Sequence, residues 1–185
     1  MAFPQLAEAN RRPFAVRDDN NPWENEMSTG EEKPTGSIII GCDHAAYGLK
    51  EKIKEVLAAV GFTVEDVGAF GEASVDYPDF GKKVASGVSR GDFDRGILIC
   101  GTGIGMSMVA NKYKNVRAAL CAEPFSASMS RRHNDANILV LGSRVTGEAL
   151  ALNIVDTWLH TPFEGGRHQV RLDKFSHLGK CAEDK

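Results

Sequence analysis

From residue 37 onward the sequence alternates between short apolar runs and helix-period segments, and this alternation restricts the fold more than any other feature. Strand-type runs occupy 37–41, 62–67, 96–100, 116–121 and 137–141. Between the first two, Leu49, Ile53, Leu57 and Val60 recur at helical spacing until Gly61 stops the segment. Further helices are expected over 79–89, with Phe80, Val84 and Val88 on one face, from the glycine turn after residue 100 through Ala110, and over 124–132 and 147–159. A closing basic segment, 165–179, is expected to be helical in part. Apolar strands separated by helices build parallel sheets covered on both faces. The expectation is therefore an α/β fold, a three-layer α/β/α sandwich around a five-stranded parallel sheet of Rossmann-like type.

The first 36 residues read differently. They hold four of the seven prolines, have no sustained apolar period, and carry four basic against seven acidic residues. That excess of acid accounts for the whole formal charge of −3 and leaves 37–185 balanced. So polar a segment cannot offset its ordering entropy, so 1–36 reads as a flexible N-terminal arm ahead of one domain, 37–185. It lacks the apolar stretch of a secretory signal, and Asp18, Asp19 and Glu24 argue against an organelle presequence. No run of about 18 apolar residues is present, so no membrane partner is expected. Balanced charge implies no attraction to nucleic acid. Cys42, Cys100, Cys121 and Cys181 form no CxxC pair, which suits a reducing, cytoplasmic setting.

Open parallel sheets bind ligands beyond the carboxyl ends of their strands. That rule selects Asp43 and His44 after strand one and Tyr77 after strand two. After strand three it selects Cys100-Gly101-Thr102-Gly103-Ile104-Gly105, after strand four Glu123, and after strand five Ser143 and Arg144. The three glycines allow a tight turn whose N–H groups face an anion, and the same helix start favours a thiolate at Cys100. A thiolate there suits proton abstraction beside a carbonyl, and a buried cysteine before a structural turn is the plainer alternative. A dinucleotide fingerprint is a weaker reading, because Met106 stands where its third glycine belongs and the turn follows strand three. His133, beside Asn134, is either a helix cap or a proton shuttle. Arg167 and Arg171, four apart, are either a phosphate clamp or a solvated basic face. The histidines and cysteines show no zinc spacing, so no metal is expected.

Six segments, taken in order, carry a resemblance: Gly41-Cys42-Asp43-His44, Asp76-Tyr77-Pro78, Cys100 through Gly105, Arg132-His133-Asn134-Asp135, Gly142-Ser143-Arg144 and Gly165-Gly166-Arg167-His168. Together they resemble the type B ribose-5-phosphate isomerases, whose fold the galactose-6-phosphate isomerases share. The resemblance runs from about Ile38 to Arg171 and leaves the arm outside. It implies interconversion of ribose 5-phosphate and ribulose 5-phosphate through a cis-enediolate, with no metal or organic cofactor. Cys100 would carry the proton between carbons 2 and 1, His133 would open the furanose ring, and Thr102 would lie near it. Gly101, Gly103, Ile104 and Gly105 would hold the enediolate oxygen, while Asp43, Tyr77 and Asn134 would orient hydroxyls. His44, Arg144, Arg167 and Arg171 would clamp the phosphate. Acid–base groups are thus expected on one rim, with basic residues placed for a dianion. A homodimer or dimer of dimers with shared sites is implied. Isomerisation of a hexose 6-phosphate or tetrose phosphate is the nearest alternative, and a non-catalytic sugar-phosphate or nucleotide-binding module a more distant one.

Overall fold

The computed structural model describes residues 36–175. The arm expected over 1–36 (Gly36 apart) and residues 176–179 of the closing segment lie outside the described residues.

Five strands form one sheet: β1 (Ser37–Cys42), β2 (Thr63–Asp66), β3 (Arg95–Cys100), β4 (Ala118–Leu120) and β5 (Ile138–Gly142). All neighbours run parallel, in the order β2-β1-β3-β5-β4. The helices are α1 (Tyr47–Ala59), α2 (Tyr77–Arg90), α3 (Ile104–Ala110), α4 (Pro124–Asn134), α5 (Glu148–His160) and α6 (Arg167–Phe175). The α/β/α expectation holds, with modest changes of boundary. The second helix starts at Tyr77 rather than residue 79, since Pro78 falls in its first turn, where a missing N–H and a fixed φ cost nothing. β4 shrinks to three residues because it is an edge strand, paired only with β5.

Period-two alternation sorts the strand side chains between two cores. Ile38, Ile40, Ile97, Ile99, Leu139 and Leu141 face α1, α4 and α5, with Trp158 fully buried among them. Ile39, Leu98, Ile138 and Val140 face α2 and α3 through Val84, Val88 and Met106. The central strands present apolar side chains to both faces, so the candidate polar residues of the sheet gather at the strand ends. Among the described residues no helix is long and apolar enough to cross a membrane.

The strand order creates a switch point. From β1 the chain passes outward through α1 to β2, while β3 lies on the other side of β1. Such a reversal opens a crevice at the carboxyl ends of the two central strands. Asp43 and Cys100 stand at those ends.

Candidate active site

The glycine turn after β3 is shaped by two close approaches. Gly103 adopts φ +77°, and a Cβ there would lie 3.0 Å from the Leu141 carbonyl oxygen. Gly142 passes so close to Thr102 that a Cβ would stand 2.7 Å from its backbone. The turn is thus pressed onto the end of β5, and the Gly103 N–H is aimed back at β3. It donates to Cys100 Sγ at 3.1 Å. Ser143 N–H donates to the Cys100 carbonyl at 2.9 Å, and Arg144 N–H to that of Gly101 at 3.0 Å. Cys100 is 5% exposed. Burial pushes the Cys42 thiol up to about 11 and raises that of Cys121 as well.

The rest of this rim converges on the same turn. Tyr77 lays its ring over Gly105, where a Cβ would lie 2.6 Å from ring atoms. Arg144 runs beside Gly101, with its Cδ 3.5 Å from where a Cβ would be. Asp43, buried, accepts from Ala45 N–H at 3.0 Å. His44 Nδ1 accepts from Val75 N–H at 3.2 Å, which leaves Nε2 as the free ring nitrogen. Thr102 and Ile104 are exposed on the outer side of the turn, and Thr102 Oγ1 accepts from Ile104 N–H at 3.4 Å. Glu123 takes no place in this rim. It caps α4, accepting from Phe125 and Ser126 N–H at 2.6 and 2.7 Å.

His133, Asn134, Arg167 and Arg171 correct the one-rim expectation. Helix α4 runs back against the strand direction, so its last residues lie at the amino-terminal edge of the sheet. Asn134 is four residues ahead of β5, whose first residue Ile138 pairs with Gly96, and Cys100 is at the far end of that strand pair. Four strand residues separate the two edges by roughly 13 Å. Here His133 stacks on His168 of α6, with centroids 4.2 Å apart and planes within 5°. Arg167 and Arg171 do share α6 and are both exposed. An ion pair of this corner joins Arg132 to Glu164, 2.5 Å away. One chain therefore carries the two groups of candidate residues on opposite edges. Reading along the sequence missed the reversal, although an α4 that returns to start a parallel β5 must have it.

Glu164 was also missed, and His168 appeared only within a glycine-rich motif. With His133 they place three possible ligand atoms within 4.8 Å of one another, the group of this kind found among the described residues. Histidine and carboxylate suit zinc. Parallel rings cannot both aim in-plane lone pairs at one ion, however, so a ring would have to tilt, and Arg132 and Arg167 add like charge beside it.

Fold and site together define a parallel α/β protein whose thiol, glycine turn and arginines are furnished for a small anionic ligand. Residues 38–175 match the model of the Ribose/Galactose Isomerase family. Ribose-5-phosphate isomerase B of Escherichia coli (strain K12) is 49% identical over 141 residues, covering 76% of this chain and 95% of its own. A solved structure of Clostridium thermocellum ribose-5-phosphate isomerase B is 56% identical, with TM-score 0.74, over 76% of this chain and 95% of that one. Mycoplasma genitalium ribose-5-phosphate isomerase B, solved with bound ribulose-5-phosphate, is 44% identical with TM-score 0.74, over 78% and 96%. The chain belongs to the Ribose/Galactose Isomerase family: it is a sugar isomerase.

Proposed function

We propose that the chain interconverts ribose 5-phosphate and ribulose 5-phosphate, with Cys100 as the base. The observation that carries this reading is the Cys100 sulfur at the switch point under the Gly103 N–H, with Tyr77 and Arg144 packed on its glycine turn and Asp43 at the end of the neighbouring strand. The thiolate takes the proton from carbon 2 of the open aldose, and the electron pair moves onto the carbonyl oxygen as the enediolate forms. Backbone N–H groups of Gly101, Ile104 and Gly105 face that oxygen, that of Gly103 being held on the sulfur, and the proton returns to carbon 1. Thr102 lies beside the turn. Asp43, Tyr77 and Asn134 orient hydroxyls. His44, Arg144, Arg167 and Arg171 clamp the phosphate, guanidinium groups suiting a dianion.

The two half-sites complete each other only across two copies of the chain. A homodimer, or a dimer of dimers, brings His133, Asn134, Arg167 and Arg171 of one subunit to Cys100 of its partner. The family model also names galactose, so a hexose 6-phosphate is the second reading. The test is turnover by the purified full chain on pentose, hexose and tetrose phosphates. Ribose 5-phosphate is expected to show the highest kcat/KM, and preference for a hexose 6-phosphate overturns the choice of substrate.

His133 is assigned to ring opening: it takes the proton of the anomeric hydroxyl and returns one to the ring oxygen as the carbon–oxygen bond breaks. Ribulose 5-phosphate cannot close a five-membered ring, because its O5 is esterified. His133→Ala is therefore expected to lower turnover of ribose 5-phosphate by about 10²-fold, within the range for a lost acid–base group. Exchange of the carbon-1 proton of ribulose 5-phosphate with heavy water, followed by NMR, should fall far less. Equal losses in both assays would give His133 a binding role instead.

A further inference from the structure

The segment between α5 and α6 folds back onto the end of α4, where Glu164 N–H donates to the Arg132 carbonyl at 3.1 Å. Its side chain is held too. Oε1 accepts from Arg132 Nε at 2.5 Å. That leaves Oε2 to two imidazoles, 3.3 Å from His168 Nε2 and 3.8 Å from His133 Nε2. His168 is 3% exposed, so the ring on which His133 stacks has no room to turn.

His168 Nε2 faces a donor, Arg167 Nε at 3.3 Å, and an acceptor, Glu164 Oε2. Burial, then the neighbouring His133 and Arg167, hold His168 below the usual imidazole range, so at pH 7 it is neutral and accepts from Arg167. The Arg132 hydrogen bond keeps Glu164 below the usual carboxylate range, and it stays charged. Its Oε2 is then left with His133 as the group able to bring a proton. A carboxylate 3.8 Å from His133 Nε2 is an ion-pair neighbour that restrains the ring's orientation.

We propose that Glu164 is a positioning residue for ring opening: anchored by Arg132, its carboxylate clamps His133 against the buried His168 and leaves the other ring nitrogen, Nδ1, to the sugar. This rests on the assignment of His133 above. Charged or titratable groups facing His133 come from three elements: Arg132 on α4, Glu164 on the linker, and Arg167 and His168 on α6.

The experiment compares the full chain with Glu164→Gln and Glu164→Asp. It measures the pH profile of kcat/KM on ribose 5-phosphate and the carbon-1 exchange of ribulose 5-phosphate. The His133 limb is the one that disappears in His133→Ala. In Glu164→Gln this limb is expected to move to lower pH, because a negative charge beside the imidazole is lost. Turnover of ribose 5-phosphate should fall about tenfold, the scale of a displaced supporting group, while carbon-1 exchange stays near native. Glu164→Asp keeps the charge and should leave the limb near its native position. An unmoved limb in Glu164→Gln, or losses that match in both assays, overturns the proposal. If the Gln variant does not fold, an Asp variant impaired equally in both assays overturns it too. Failure of the ring-opening assignment itself would appear separately, as equal losses in His133→Ala with Glu164 intact.

Discussion

Cys100→Ala is expected to lower kcat by roughly 10²–10⁴-fold while the protein stays folded, because the group that moves the proton is gone. The substitution removes one buried sulfur atom from the end of β3 and leaves the glycine turn seated on β5 through Gly103 and Gly142. The phosphate-binding arginines are untouched, so affinity for a phosphorylated competitive inhibitor should change little. Steady-state kinetics with a thermal melt on the same sample make the check. Near-native turnover in a folded variant would remove Cys100 from the mechanism and favour its reading as a buried structural cysteine.

The second large effect is a recovery. Cys100→Ala damages one half-site and Arg171→Ala the other, on opposite edges of the sheet. Arg171→Ala alone should weaken binding of a phosphorylated inhibitor by roughly 1.5–3 kcal/mol, the cost of losing one charged hydrogen-bonding group. In a hybrid dimer of the two variants, one composite site carries both lesions and the other carries neither. Equal mixing with free exchange should then yield about a quarter of wild-type activity, since half the dimers are hybrids and each has one intact site. Subunit exchange is verified independently by native mass spectrometry of tagged chains. Verified hybrids with no recovered activity would mean that sites are not shared between subunits.

These expectations depend on how much of the protein is written locally. The five strands and the helices between them were legible because each is specified by its own neighbours in sequence. Leu49, Ile53 and Leu57 at helical spacing make α1, and the isoleucines of 38–40 make β1. The carboxyl-edge residues were legible for a related reason: in a parallel sheet, the residue after a strand lies at the same edge whatever the strand order. Asp43, Cys100 and Arg144 needed no more than that.

Strand order is another matter. β5 inserts between β3 and the edge strand β4, an arrangement set by which apolar faces can be covered together and not by any residue within the strands. The contact between Glu164 and His133 arises the same way. It spans a linker, two helices and an edge of the sheet, so no short spacing encodes it. The sequence alone established the α/β class and which residues stand at the Cys100 edge, because propensity, periodicity and strand polarity act over a few residues. The separation of Cys100 from His133 emerged only in three dimensions, because a helix returning to start a parallel strand places its last turn at the far edge of the sheet.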